Sequence, residues 1–579
     1  MSAEELITDH LDLWTEATTK KPGSGRGTNG KIELTGIDKL RKLILELAVR
    51  GLLTEQRICE SDASEIVSNL HKEQKRLVAA GLIKKSKPLK PLNEVEKPYP
   101  LPKGWQWVRL GQTMEMYNGR AFKSSEWSTS GLPIIRIQNL NDPKAPTNYF
   151  SGPLNDRHSI DTGTFLISWS GTPGTSFGAF IWNRGPAALN QHINKCVFFG
   201  DFLIPKFMQL AVNGQMKNFI QSAQGGVGLK HVTKGVLANA LIALPPKEEQ
   251  HRIIQKVDEL MALCDRLEQQ TCDQLAAHDT LVDTLLSTLT QSPNATELAE
   301  NWTRLAAHFD TLFTTEQSID KLKKTILQLA VMGALAGSPT KTAISGKPEK
   351  PSVKRCGMSS DKKQSTPLIE ASKIDKPFSI PAAWRWEKIE DLVDPDKGIS
   401  YGIIKLGKEP KSGGVPTLRC SDVKPRKIDT SGIRTVSEKI EEPYRRTRLE
   451  GGEVILNIRG TLGGVALVPS NLKGFNVARE VAVIPLGPTI YGPFLVNLIA
   501  SPFFWEMIES NLKGIAYKGL NLKTLRSLRV PVPPLNVQKE VVKKTEELIS
   551  ICDQLEACIL KASDTRGLLA NTVVESALV

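Results

Sequence analysis

IDKLRKLILELAVRGLL, Ile37 to Leu53, returns as IDKLKKTILQLAVMGAL, Ile319 to Leu335. The two stretches lie 282 residues apart and agree at 12 of 17 positions. Both are apolar at three- and four-residue steps, the pattern of an amphipathic helix. Two further stretches keep nearly the same spacing. LPKGWQWVRL from Leu101 returns as IPAAWRWEKI from Ile380, and LPPKEEQHRIIQKVDELMALCDRLEQ from Leu244 as VPPLNVQKEVVKKTEELISICDQLEA from Val532. A solenoid repeats a short unit many times. Here a domain with its helical attachment is repeated once, so the expected molecule has two similar ends.

Between the repeats the texture changes. From 101 to 246, runs such as PIIRIQNL, TFLISWSG, GAFIWN and KCVFF are short, β-branched or aromatic, and bounded by Gly, Pro, Asn and Ser. That pattern predicts strands and turns with a few helices, such as LIPKFMQLAVNGQMKNFIQSA. Residues 380–534 show the same grammar in GVPTLRCSDV, GGEVILNIRG, VALVPS and EVAVIPL. Both read as α+β heads of ordinary domain size.

After each head the chain turns helical. Ile253, Val257, Leu260, Cys264 and Leu267, and again Val541, Thr545, Leu548, Cys552 and Leu555, follow a coiled-coil seam. The pairs Pro245–Pro246 and Pro533–Pro534 suit a helix start. One helix is predicted from Glu248 to near Leu289, roughly 60 Å long, and another around Leu305 to Leu335 folding back against it. The segment from Leu6 to Ala17 resembles Leu305 to Thr315, and a Gly-rich insertion, KKPGSGRGTNGK, follows it.

The chain then divides into an N-terminal helical region with linker (1–100), a first head (101–246), a central helical spacer (247–345), a basic Pro/Ser-rich linker (346–379), a second head (380–534) and a C-terminal helix (535–579). The N-terminus copies one half of the spacer and the C-terminus the other. If the ends meet, two heads and two antiparallel, coiled-coil-like helical connectors close into a pseudo-twofold circle.

At 579 residues the chain exceeds one hydrophobic core. Its 40% apolar and 24% charged residues are ordinary for a soluble protein, and no run approaches the roughly 20 apolar residues that span a bilayer. The N-terminus lacks a signal-peptide pattern, so a cytoplasmic protein without a membrane partner is expected. Eight cysteines form no CxxC pair, and Cys264 and Cys552 hold equivalent apolar helix positions. They read as core side chains rather than metal ligands or a disulfide framework.

Catalytic motifs are missing. GTPGTSFG from Gly171 and GTLGG from Gly460 lack the GK[ST] of a nucleotide cradle. No GxGxxG opens a βαβ unit, and neither GxSxG nor HExxH occurs. His192 and His231 have no counterparts in the second head, where a catalytic pair would be expected to recur.

Polar residues in the heads suit nucleic acid. The net charge of +13 favours a polyanionic partner, although part of the excess lies in the lysine-rich linkers. Arg136, followed by Gln138 and Asn139, matches Arg419, followed by Ser421 and Asp422. Arg can contact guanine bidentately and Asn or Gln adenine, whereas the structural alternative is a surface ion pair or a fold-keeping contact. Ser170, Thr172, Asn190, Gln191 and Lys230 in the first head, and Arg459, Thr461, Arg479, Lys518 and Asn521 in the second, fall near predicted loops. The Trp105/Trp107 and Trp384/Trp386 pairs read as hydrophobic clamps at the heads' entrances rather than base-stacking platforms.

The duplicated plan, the LPxGWxW openings, the PIIRIQNL strand, the GTFLIS/GEVILN strands before a Gly turn and the duplicated PP…Q…CDxLE helices together resemble the specificity subunit of a type I restriction-modification system. The resemblance spans nearly the whole chain and implies two target recognition domains, each reading half of a bipartite site on double-stranded DNA. It also implies helical spacers that set the separation, and docking of two modification (methyltransferase) subunits and, through the complex, restriction subunits. S-adenosylmethionine, ATP and magnesium are expected on those partners, with no cofactor and no catalysis in this chain. A protein-binding assembly scaffold and a tandem RNA-binding protein remain the alternatives.

Overall fold

The computed structural model describes residues 3–20, 32–57, 62–85, 88–171, 178–215, 230–231, 233–336, 377–512 and 519–578. Most of the Gly-rich insertion and of the linker 346–379 lies outside these residues. Contacts divide the chain into two units. One holds the described residues up to Asp273 together with those from Ser563 onward, and the other runs from Gln274 to Ala562. Both long helices, Lys247–Thr290 and Leu535–Ser576, therefore contribute to both units.

In the first unit, the strand Gln106–Arg109 pairs antiparallel with Leu241–Leu244, so the head opens and closes at one place. Between them lies an antiparallel sheet in the order 178–181, 165–168, 193–198, 114–118. A second sheet runs 148–150, 132–135, 187–189, 159–160, and its inner pair is parallel. Phe165–Ser168 is buried along its whole length, so both faces of this strand are covered. PIIRIQNL is not one strand. It stops at Ile135, and Ile137–Asn141 turns helical because the Asn139 side chain accepts the Arg136 N–H at 3.0 Å.

The second unit repeats this plan. Arg385–Lys388 pairs with Arg529–Val532 to close the head. One sheet runs 400–401, 481–484, 454–457, 465–467, and the other 434–436, 415–418, 476–477, with 415–418 and 476–477 again parallel.

The repeated helices are Thr35–Arg50 and Glu316–Met332. They end at Gly51 and Gly333, with φ of 74° and 82°. A Cβ on Gly51 would lie 2.7 Å from Pro102 and 2.8 Å from Trp105, and one on Gly333 2.7 Å from Pro381 and 3.2 Å from Trp384. Glycine thus both ends the helix and lets the head's opening tryptophan close over it. Trp105, Trp107 and Trp384 are buried, and Trp105 Nε1 donates to Glu249 Oε2 at 2.9 Å, so the pairs act as clamps.

The Gln of the PP…Q motif has an equally local cause. Gln250 Oε1 accepts the Ile204 N–H at 3.0 Å and its Nε2 donates to Pro245 O at 3.2 Å. Gln538 accepts the Tyr491 N–H at 2.6 Å and donates to Thr489 and Pro533 carbonyls, both at 2.9 Å. Each buried amide ties the first turn of a long helix to the start of a head helix, Pro205–Gly214 or Gly492–Ala500.

Ion pairs repeat too. Arg41 meets Asp265 at 2.7 Å and Glu268 at 2.6 Å, and the equivalent Lys323 meets Asp553 at 2.5 Å and Glu556 at 2.6 Å. Lys39 donates to Gly567 O at 2.9 Å, while its counterpart Lys321 pairs with Asp279 at 2.6 Å and Asp283 at 2.8 Å. Each unit is thus a head, its own repeat helix, the first part of one long helix and the last part of the other. The first unit also holds both ends of the chain: Arg566 pairs with Glu16 at 2.9 Å, and Arg50 donates to Leu578 O at 2.8 Å.

Two helical expectations need correction. The stretch 305–335 is not one helix, because Ala295–Ala307, Phe309–Leu312 and Glu316–Met332 are separate and Thr315 caps a new start by accepting the Ser318 N–H at 3.1 Å. It does fold back along the first long helix, with Gln317 donating to Asp279 and His278 bonded to Thr311 O. In the second long helix the seam drifts. Ile549 is buried and Leu548 only half-buried, as expected when 3.6 residues per turn meets a 3.5-residue pattern. Cys264 and Cys552 are core side chains, 0% and 2% exposed. No helix among the described residues is long and apolar enough to cross a membrane.

Candidate nucleic-acid interface

The first head brings most of its singled-out residues to one edge. Arg136 follows the strand Leu132–Ile135, and Asn190 follows its parallel neighbour Ala187–Leu189, with the Asn190 N–H on Ile135 O at 3.1 Å. Arg120 joins them, its N–H on Leu189 O at 2.8 Å. Gly119 makes this approach possible, since a Cβ there would sit 2.1 Å from Asn190 O. The edge continues through Trp169, whose N–H reaches His192 O at 3.4 Å, to Ser170–Gly171 paired with Lys230–His231. Thr172 lies outside the described residues.

Side chains along this edge differ in what they offer. Arg136 makes no side-chain hydrogen bond or ion pair among the described residues, and its guanidinium lies over the exposed Trp127 ring. Gln138 is exposed, with its Nε2 on Pro146 O at 3.0 Å. Asn139 is 2% exposed, and its amide is used on Arg136 N–H, Ala145 O and Thr147 Oγ1. Its side chain holds its own turn and, being buried, is not presented outward, since every side-chain bond it makes lies within 8 residues. Gln191 is half-buried, and its Oε1 has no partner among the described residues.

The second head builds the same edge. Ala478 N–H bonds Leu418 O at 2.8 Å, Arg479 N–H bonds Ile403 O at 2.9 Å, and Ile458 N–H bonds Glu480 O at 2.8 Å. Arg419, Arg479 and Arg459 are thereby neighbours in order. Arg459 and Thr461 are exposed and Arg479 half-exposed, and neither Arg459 nor Arg479 has a side-chain partner among the described residues. Arg419 is held instead. Asp422 accepts its N–H at 2.9 Å, its Nε at 3.2 Å and its Nη2 at 3.2 Å, and Gly432 O accepts Nη2 at 2.9 Å. Ser421 is exposed and donates to Asp422 at 2.7 Å. Lys518 lies outside the described residues. Asn521 caps the helix Leu522–Ser527 by accepting the Lys523 N–H at 3.0 Å, the role Thr233 plays in the first head.

The first head seats several arginines on aromatic rings, one of which, Arg120, also pairs with Glu126, whereas the second relies on carboxylates. In the first, Arg120 lies over Phe122 and Phe150, Arg157 over Tyr117 and Arg184 over Trp182. In the second, Arg419 and Arg448 are bonded to Asp422 and Glu441. Repeat matching missed Arg120 and Trp127 for that reason, since neither has a counterpart residue type in the second head. Among the described residues no group of three His, Cys, Asp or Glu is placed to hold a metal ion.

The sequence matches the Methylase_S family, type I restriction modification DNA specificity domain, at residues 102–277 and 383–562. It is similar to the Type I restriction enzyme EcoAI specificity subunit of Escherichia coli, 31% identical over 607 residues covering 100% of each chain. The EcoEI specificity subunit of Escherichia coli is likewise 31% identical over 611 residues, again 100% of each. Among solved structures, the crystal structure of the HsdS subunit from Thermoanaerobacter tengcongensis is 16% identical, covers 84% of this chain and 99% of that one, and has a TM-score of 0.39. Since both matched stretches begin at a tryptophan clamp and run into a long helix, the chain belongs to the family of type I restriction-modification specificity subunits.

Proposed function

We propose that this chain confers DNA sequence specificity on a type I restriction-modification complex, each head reading one half of a bipartite site. The observation that carries the reading is the pair of equivalent edges. They share a backbone frame, yet Ser170 stands where the second head has Arg459, and Gln191 where it has Arg479. A common frame with different donors suits two readers of different sequences. Arg, Gln and Ser side chains supply base-edge contacts, and lysines and remaining arginines supply phosphate contacts that set register.

The helical parts hold the half-site separation, since the distance between two rigid readers selects the spacer. The circular, pseudo-twofold arrangement belongs to this proposal. It is supported by each unit containing the start of one long helix and the end of the other. Leu281 and Leu569 occupy equivalent helix positions and are 50% and 51% exposed. Two such apolar positions suit docking of two modification subunits. We assign S-adenosylmethionine, ATP and magnesium to the modification and restriction subunits, and no catalytic step to this chain.

Binding to bipartite duplexes tests the proposal. Changing the spacer by one base pair should abolish tight binding, and methylation mapping of host DNA should return the same two half-sites. A protein scaffold would be indifferent to the spacer, and an RNA binder would prefer single strands or loops.

A further inference from the structure

Asn457 closes the strand Val454–Asn457 of the second head and is wholly buried. Its Nδ2 donates to Cys420 O at 2.9 Å, Val423 O at 3.1 Å and Thr461 O at 3.1 Å. Cys420 and Val423 flank the turn that carries Ser421 and follows Arg419. Thr461 lies in the Gly turn that carries Arg459. One side chain therefore joins two turns that present outward-facing donors at the edge.

The turns meet there at backbone distance. A Cβ on Gly464 would lie 2.2 Å from Asn457 Nδ2 and 2.2 Å from Val423 O, and one on Gly460 would lie 3.0 Å from Cys420 Sγ. Asn457 N–H also bonds Gly464 O at 2.8 Å. No apolar side chain could replace the amide, because the carbonyls of Cys420, Val423 and Thr461 would lose their shared donor, the buried Val423 O at most cost. The first head has Ser168 at this position. It is 2% exposed, and its Oγ has no partner among the described residues, so no equivalent tie is made among them.

We propose that Asn457 is a positioning residue that locks the Arg419 turn to the Arg459 turn and so sets base discrimination at the half-site read by the second head. This rests on the DNA-reading proposal above. Because Asn457 is buried, it acts through the exposed residues of both turns and touches no base itself. Losing it frees the two turns to move separately, so wrong bases are tolerated better while phosphate contacts persist.

The test uses the full chain assembled with the modification subunits of its own system. Wild type, Asn457→Ala and Asn457→Ser are measured on duplexes in which each base of either half-site is varied in turn. The expected result is a loss of discrimination of about tenfold at the second half-site, comparable to one good base contact. Discrimination at the first half-site stays at the wild-type level. The inference is overturned if either variant melts like wild type and keeps its full second half-site discrimination. It is equally overturned if both half-sites relax together, or if the loss merely follows the melting temperature across the two variants. A wild-type complex with no bipartite preference would instead bring down the DNA-reading proposal on which this one stands.

Discussion

The Arg136 guanidinium carbon lies 4.6 Å from the centroid of the Trp127 ring, and the indole is itself 41% exposed. A stacked guanidinium keeps all five N–H donors in its plane free while losing rotational freedom. Trp127→Ala is expected to weaken binding to the bipartite site by roughly 3- to 30-fold, the range of a partly exposed cation–π contact. Trp127→Phe should retain most of the affinity. Fluorescence anisotropy with specific and random duplexes checks this, and an equal loss on random DNA would reduce Arg136 to a phosphate contact.

Asp422 fixes Arg419 as Trp127 fixes Arg136, but by occupying some of its donors. Its side chain is 8% exposed and accepts from Arg419 and Ser421 together. Asp422→Asn removes the charge and part of this acceptor set, so Arg419 should lose its aim. Reduced selectivity at the second half-site is expected, with a stability loss of about 1–3 kcal/mol for the buried groups left unpaired. Chemical denaturation and base-by-base substitution measure the two effects separately. Unchanged selectivity at reduced stability would leave Asp422 only a fold-keeping role.

The duplicated plan was legible because the helical repeats carry the clamps in their own sequence. Gly51, Trp105 and Gln250 recur as Gly333, Trp384 and Gln538, each placed by a local bond or close contact. The exposed edges were legible in position and less so in role. Asn139 and Asn521 have the residue type of base readers, yet a turn and a helix start use their side chains. Such contacts depend on which backbone donors and acceptors the neighbouring turn leaves open. Residue type alone does not carry that information. Trp127 and Arg120 were missed because the stacking they take part in does not repeat between the heads.

Gln250 and Gln538 should be stabilising to similar extents, since each is wholly buried and bonded in the same pattern. Replacing either by Ala leaves a helix-start N–H and one carbonyl, or two for Gln538, without their partner, at a cost of about 1–3 kcal/mol. They lie in separate units, so the double variant should lose about the sum. Urea denaturation of both single variants and the double variant decides this. A strongly non-additive result would show that the two clamps are coupled.

Glu441 gives a pH-dependent signature. It is 1% exposed, and burial alone would raise its pKa, but hydrogen bonds from Arg448 at 2.6 Å and Asn476 at 2.9 Å outweigh burial and hold it below its ordinary 4.5. A depressed carboxylate stabilises the fold fully above its unfolded value and loses that contribution as pH falls through the folded value. Glu441→Gln should therefore cost about 1–3 kcal/mol near pH 7, toward the lower end because the Arg448 side chain is 40% exposed. The gap to wild type should shrink as pH drops below 4.5. Melting temperatures of both proteins across that range check the sign, and a gap that widens in acid contradicts it.

Leu281 and Leu569 separate docking from folding. Both are about half exposed, so Asp at either should change stability by no more than about 0.5 kcal/mol. A charge in the centre of an apolar docking patch is far more damaging, because it must be desolvated without a partner. Since the positions are equivalent and lie in different units, each single variant should lose one modification subunit and the double variant both. Native mass spectrometry of the reconstituted complex counts them directly. If the double variant still carries two modification subunits, docking uses another face of the helices, and the exposure of these leucines has no bearing on assembly.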